Sequence, residues 1–342
     1  MNEENLRKQP TIFDVSKMAG VSPSTVSRYL NSSSYLSNET KRKVENAIKT
    51  LKYKPSRFAK NLKMQSMFSV SVVVPNLNLE FYGEIVDSLS VYANSRNVEI
   101  MVNVTHNMDE MKQTVFDFAF SRRIDGIILC TPDLKTIELF STLTIPIIAL
   151  DWRNTVGDLN IDSITIDNKK AAFTAINYLY SRGHRKFLIV TGGREIQSSV
   201  DRFNGLKAFS ERHNDAEFFV EDGDFRPDSG YSIVKEFLKS GRKITAIFAF
   251  NDLMAFGGLN AITEIGMRVP EDISIMGFDN SFISNYTMPK LTTVDQQKGK
   301  LGTTAASLMI ERLLSMVNKR VRELVIPYKI VERDSVRVLS NS

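Results

Sequence analysis

Hydroxyl groups and a guanidinium crowd one short stretch near the N-terminus, where Ser22, Ser24, Thr25, Ser27 and Arg28 follow one another. Presented outward on a helix, such side chains donate to and accept from base edges and phosphates, which is the chemistry of a major-groove reader. Farther along, polar residues stand just after runs of Val, Ile and Leu, at 75–82, 130–132, 151–153 and 192–202, at Asn251 and Asp252, and at Asp279. In open α/β sheets ligands bind beyond the carboxyl ends of the strands, so these positions are the candidates for a small-molecule site. The motifs of catalysis are missing from the chain: Gly192-Gly193 is not a full GxGxxG, and neither GxxxxGK[ST] nor GxSxG occurs. His106, Cys130, His184 and His213 lack the tight spacing of a structural zinc site, and one cysteine cannot form an internal disulfide. The expectation is a binding protein, not an enzyme, with no metal and no cofactor.

The elements that must position these residues fall into two regions of opposite charge. Residues 1–65 hold 13 Lys and Arg against 5 Asp and Glu, a net +8, whereas the remaining residues are near −3. A compact basic head on a slightly acidic body suggests that one part meets a polyanion and the other does something else. The 342 residues exceed one comfortable core, and the polar N-terminus and the lack of a long apolar run lead us to expect a cytoplasmic protein.

In the head, Thr11 and Asp14 have capping-box spacing, and the helix they open places Ile12, Val15, Met18 and Ala19 on one face before Gly20 stops it. Ser22 is an N-cap and Pro23 suits the first helical position, so a second helix starts after a three-residue turn. That is a helix-turn-helix whose second helix turns Ser24, Thr25, Ser27 and Arg28 outward. A third helix capped by Ser37 closes the core with Val44, Ala47, Ile48 and Leu51, and its outer face carries Lys41, Arg42, Lys43 and Lys49. Residues 55–63 would, as a helix, put Phe58 and Leu62 on one face among Arg57, Lys60 and Lys63, in a segment too short to fold without a partner and DNA.

Beyond Lys63, β-rich runs at 69–74, 98–103, 125–129, 145–150, 164–166, 187–191, 246–250, 273–278 and 291–294 alternate with helical periods at 81–95, 109–121, 169–182, 200–213, 228–239, 253–265 and 299–314. Near-continuous Val/Ile strands joined by helices make largely parallel sheets. Their number predicts two doubly wound subdomains, the chain crossing between them near residues 158–163, with a ligand cleft between.

Residues 11–31, from Thr11 to Asn31, resemble the DNA-binding signature of the LacI/GalR family of bacterial transcription regulators. The similarity runs through Tyr53-Lys54-Pro55-Ser56 and into the body at 74–78, 125–128, 182–184, 250–255 and 269–279, and on to 332–335. It implies an all-α helix-turn-helix head at 1–54, a hinge at 55–65 and an α/β, periplasmic-binding-protein-like body at 66–342. The N-subdomain would take about 66–161 plus 291–324, and the C-subdomain about 162–290 plus 325–342. It implies a homodimer on a near-palindromic DNA operator, read by Thr11, Ser22, Ser24, Thr25, Ser27, Arg28 and Asn31. Arg57 and Lys60 would lie in a hinge helix whose Leu62 wedges into the minor groove, where unstacking is offset by the bend it permits.

The resemblance also implies ligand contacts from Asp151, Arg202, Asn251 and Asp279, because a carboxylate and a guanidinium each make paired hydrogen bonds to the vicinal hydroxyls of a sugar. Phe81, Tyr82, Trp152, Phe225 and Phe278 stand where a ring could cover a pyranose, Gln296 where it could close the cleft, and Cys130 where it could line it. The function expected is repression of carbohydrate genes under a small sugar or sugar phosphate. The alternative effector is a purine or a phosphoprotein co-repressor. Pro23 and Ser24 replace the larger polar residues common in the family, which shifts base readout toward Arg28. Trp152 replaces an Arg frequent after Asp151, and without a leucine heptad after Arg333 a dimer is expected instead of a tetramer.

Overall fold

The computed structural model describes residues 12–30, 36–51, 68–75, 80–104, 116–117, 119, 124–130, 133–153, 159–314 and 320–339, except the side chains of Ile12, Ser27 and Leu30. Thr11, Asn31, Arg57, Lys60 and Leu62, the side chain of Ser27 and most of the helix expected at 109–121 therefore lie outside the described residues. The chain forms two compact units, Met1–Met67 and Phe68–Ser342.

The first unit holds α1 (Ile12–Ala19), α2 (Pro23–Leu30) and α3 (Asn38–Leu51). Gly20, at φ +66°, ends α1 where a side chain would be strained. Ser22 Oγ accepts from Thr25 N at 3.2 Å and caps α2, and Ser37 Oγ does the same for α3 with Thr40 N at 3.2 Å. Val15, Ala19, Val26, Val44 and Ala47 form the core, with Val21, Tyr29, Ile48 and Leu51 packed at its edge. Met18, expected inside, is half exposed, because the buried stripe of α1 runs through Val15, Ser16 and Ala19 and leaves position 18 turned outward.

The second unit has two parallel sheets. The first is built from β1 (Ser69–Val74), β2 (Glu99–Val104), β3 (Gly126–Cys130), β4 (Ile147–Leu150), β5 (Asp162–Ile166) and β11 (Glu323–Ile326), in the order β11-β5-β4-β3-β1-β2. Between these strands come α4 (Glu80–Asn94) and α5 (Leu134–Phe140); α10 (Lys298–Leu314) packs along α4. The second sheet comprises β6 (Lys186–Thr191), β7 (Glu217–Asp222), β8 (Ala246–Ala249) and β9 (Ser274–Met276), in the order β7-β6-β8-β9, with α6 (Asn168–Ser181), α7 (Gln197–Ser210), α8 (Pro227–Lys239) and α9 (Asp252–Glu264) around it. β10 (Thr293–Asp295) and β12 (Lys329–Val331) pair antiparallel.

Central strands are buried end to end, which is why they read as unbroken Val/Ile runs. The edge strands β2 and β7 are largely exposed or half buried, and β7 offers only the three apolar residues 218–220 between acidic ones, a shorter run than those recognised from the sequence for most of the other strands. β5 pairs with β4 and β11, so 162–166 belongs to the first sheet and the chain crosses just after it, later than the 158–163 read from the sequence. It crosses again between β10 and α10 and between β11 and β12, and Gln297 Nε2 donates to Pro327 O at 2.5 Å to tie two of these crossings together. Among the described residues no helix is long and apolar enough to cross a membrane.

Helices meet backbone to backbone through glycines. A Cβ at Gly257 of α9 would come within 1.9 Å of Pro227 O, and one at Gly230 of α8 within 2.1 Å of Met254 O. Gly257→Ala should therefore force α8 and α9 apart and cost about 1–3 kcal/mol of stability, read as a lowered denaturant midpoint; an unchanged midpoint would mean the contact gives freely.

His184, fully buried between α6 and β6, bonds through Nε2 to Arg337 O at 3.2 Å, while Nδ1 has no partner among the described residues. A carbonyl only accepts, so Nε2 carries the proton of the neutral ring. Burial pulls its pKa down from 6.5 to about 4. The unfolded chain takes up this proton first, so the contribution of His184 is full above about pH 6.5 and is lost as pH falls toward 4. Thermal midpoints measured across this window should fall in the wild type and fall less in His184→Gln.

Candidate functional site

The site forms where the carboxyl ends of the two parallel sheets approach one another. Asp151 follows β4 in the first half at φ +51°, and Asp279 follows β9 in the second at φ +114°. Phe225, before α8, is at φ +67°, and Asn280 at φ +50°. Each non-glycine residue held there costs about 1–3 kcal/mol, and such strain concentrates at functional positions.

Arg202, 3% exposed on α7, occupies the centre. Its Nε donates to Asn168 Oδ1 at 2.9 Å, its Nη1 to Phe250 O, and its guanidinium lies 3.8 Å over the Phe278 ring. Asn168, the first residue of α6, in turn donates through Nδ2 to Asp151 Oδ1 at 3.2 Å, which joins the halves. Asp151 also bonds to the Ser198 hydroxyl of α7. On the other side Gln296, just after β10, donates Nε2 to Asp279 Oδ1 at 2.6 Å. The Oε1 of this 1% exposed side chain has no partner among the described residues. Asn251 caps α9 by accepting from Met254 N at 2.9 Å and donates to Phe225 O at 2.9 Å, so its amide fixes the Phe225 loop.

Burial dominates the electrostatics. It raises both Asp151 and Asp279, the latter to about 6, and Arg202 opposes the shift in each. Burial likewise lowers Arg202, while Asp279 and Asp151 favour its charge. Asp252, wholly buried, is pushed up to about 7 by burial and by the charge of Asp279. Its two oxygens accept from Ser281 N at 2.7 Å, Ser281 Oγ at 3.0 Å and Thr293 Oγ1 at 2.6 Å, so it pins the turn beneath Asp279 and has a structural part. Burial pushes the Cys130 thiol up to about 12, with the charge of Asp151 adding to it, and at that value it stays an unreactive thiol.

The structure thus brings together Asp151, Arg202, Asp279 and Gln296, with Cys130 and Tyr82 within electrostatic reach of Asp151 and Arg202 respectively. Phe81 meets Tyr82 edge-on at 5.3 Å. The Phe225 ring fills the space over Gly192, where a Cβ would fall 2.0 Å from it. Trp152 stands apart: it is 3% exposed and packs in the first half's core with Leu129, Phe140, Ala149 and Ile161. Phe278 is sealed beneath Arg202 and offers no free face. Sequence reasoning missed Asn168, Ser198 and Lys298. Asn168 begins the helix after β5 and Ser198 falls within the 192–202 stretch, so both were accessible to the strand-end rule although neither was singled out, whereas Lys298 carried no such signal.

In the head, Ser22 Oγ lies 2.7 Å from Ser24 Oγ and 2.9 Å from Thr25 Oγ1, so the cap and the first two outward hydroxyls form one cluster at the start of α2. Arg28 is exposed on the same helix.

Residues 11–56 match the model of bacterial regulatory proteins of the lacI family, and residues 176–336 match the periplasmic binding protein-like domain. The HTH-type transcriptional repressor PurR of Actinobacillus pleuropneumoniae is 31% identical over 335 residues, 96% of this chain and 99% of that protein. The lac repressor dimer bound to operator and an anti-inducer superimposes with a TM-score of 0.83 at 28% identity, over 96% of this chain and all of that one. The regulator CelR in complex with cellobiose gives 0.71 at 27% identity, over 95% and 99% of the two chains. The chain belongs to the LacI family of DNA-binding transcriptional repressors, and its body has the periplasmic-binding-protein-like fold.

Proposed function

We propose that this repressor binds a two-fold symmetric operator as a cytoplasmic homodimer and that a small polar effector, held at the Asp151–Arg202–Asp279 cluster, sets its affinity for DNA. The observation that carries this is the position of the cluster: Asn168 and Arg202 come from one half and Asp151 from the other, so a ligand bridging the carboxylates fixes how the halves meet. Ser24, Thr25 and Arg28 are the base readers in this proposal, with Ser27 beside them.

For the effector, the relatives named as the transcriptional repressor PurR support the purine reading over the sugar first expected. The site suits one: ring and exocyclic N–H groups donate to Asp279, ring acceptors take bonds from Arg202, and Phe225 offers a ring to stack on. A sugar is the second reading, favoured by the two carboxylates flanking Arg202, which fit paired hydroxyls. A phosphate group would meet both carboxylates at once and is disfavoured by repulsion.

Calorimetry with hypoxanthine, guanine, ribose and cellobiose separates these readings; heat from a purine alone supports the first, from a sugar alone the second, and from none overturns the direct-effector proposal. Because the ligand donates to the Asp279 carboxylate, affinity should fall as pH drops through about 6, and Asp279→Asn should weaken binding and flatten that profile. An unchanged pH profile in the variant would remove Asp279 from the contact.

On the DNA side, selection of genomic fragments by the purified protein should enrich a near-palindrome. Arg28→Ala should then lose about 1–3 kcal/mol of discrimination for it while keeping salt-sensitive nonspecific binding. Full specificity in that variant would overturn the assignment of α2 as the reading helix.

A further inference from the structure

Lys298 is an unusual lysine. It is 1% exposed and is the first residue of α10, where the positive end of the helix dipole disfavours a cation. Burying an ammonium is costly unless every N–H is met. Here three partners meet it: Asp279 O at 2.5 Å, Asn280 O at 3.0 Å and Glu84 Oε2 at 3.2 Å. The two carbonyls belong to the second half, and the carboxylate belongs to α4 of the first. They are moreover the carbonyls of the two consecutive residues held at positive φ, a conformation that persists only where its surroundings impose it.

A second acid of α4, one turn earlier, acts on the same loop. Glu80 Oε1 accepts the backbone N–H of Phe282. α10 and α4 are locked side by side, since a Cβ at Gly302 would fall 2.4 Å from Ile85 O, so Lys298, Glu84 and Glu80 move as one body. The first half therefore grips residues 279–282 of the second half through backbone atoms alone, and the side chain that this turn aims is the Asp279 carboxylate.

We infer that Lys298, braced by Glu84 and seconded by Glu80, is a positioning residue that fixes the direction of Asp279 and makes it conditional on contact between the two halves. Separation of the halves breaks the Lys298 and Glu80 bonds together and leaves the strained turn to the contacts of its own half, Asp252 with Ser281 and Thr293 with Asn280 N, which do not hold the two carbonyls, so Asp279 is aimed at the effector only in the closed arrangement. The gripping of the turn stands on the hydrogen bonds; its consequence for the effector rests on the proposed role of Asp279.

Hydrogen–deuterium exchange on the full chain, read by mass spectrometry over peptides spanning 279–286, tests the grip without any ligand. Lys298→Met keeps the bulk and removes the donors, and should speed exchange there by about tenfold while peptides from β6 and β8 hold their protection. Glu84→Gln should act in the same direction, and the double variant should exceed Lys298→Met little, because Glu84 works through Lys298. Hypoxanthine, guanine, ribose and cellobiose serve as probes, and whichever binds the wild type should lose about tenfold in affinity in Lys298→Met, with partial recovery in Lys298→Arg. Unchanged exchange at 279–286, or a uniform rise over all peptides with additive effects, would overturn the inference in favour of plain core packing. If Lys298→Met fails to fold, Glu84→Gln and Glu80→Gln, changed at less buried side chains, decide by the same exchange readout. If no probe binds the wild type, accelerated exchange still upholds the grip and the failure falls on the effector reading; accelerated exchange with unchanged probe affinity would overturn the coupling to Asp279.

Discussion

A guanidinium buried between two carboxylates is the interaction on which the body is organised. Arg202 is removed from water on α7, and a charge so placed is tolerable only if its hydrogen bonds and its counter-charges are supplied by the protein. The supply comes from several elements: Asn168 of α6, the Phe250 carbonyl after β8, the Phe278 ring after β9, and the fields of Asp151 and Asp279. Burial of all three groups opposes their charges; Arg202 favours the charge of each carboxylate and each carboxylate favours that of Arg202, while Asp151 disfavours the charge of Asp279, so the three groups are coupled.

The scaffold is built to hold that cluster stiffly. Parallel strands buried on both faces bring their carboxyl ends together, and glycines on α8, α9 and α10 let helices seat against one another's backbone. Halves joined by three crossings, two of them tied by the bond from Gln297 to Pro327 O, leave few ways to move other than as bodies, which is the mechanical requirement for a ligand to act at a distance. The strained residues Asp151, Phe225, Asp279 and Asn280 sit at the junction of the halves.

The head follows simpler rules. Three short helices are defined by Gly20, Ser22, Pro23 and Ser37, and a core of small aliphatics leaves little room for alternatives. Helix α3 presents Lys41, Arg42, Lys43 and Lys49 outward, although Lys43 and Lys49 are engaged by Glu39 at 2.8 Å and Glu45 at 3.0 Å along the helix. Such exposed pairs contribute little to stability, and they moderate the positive field of that face.

By itself the sequence determined the head, the alternation of strands and helices, the two-sheet body and the strand ends at which Asp151, Arg202, Asn251 and Asp279 were found, because capping residues, turn glycines and hydrophobic period act locally. Short or edge elements escaped it: β7 carries charges on an exposed edge, and α5 is seven residues long and declares itself chiefly through the cap at Asp133. The assignment of β5 to the first sheet, the withdrawal of Trp152 into the core and the meeting of Lys298 with residues 279 and 280 were decided by tertiary structure alone. Each depends on which distant segment lies alongside, and a pairing of strands or a buried cation's choice of partner leaves no periodic mark in the chain that makes it.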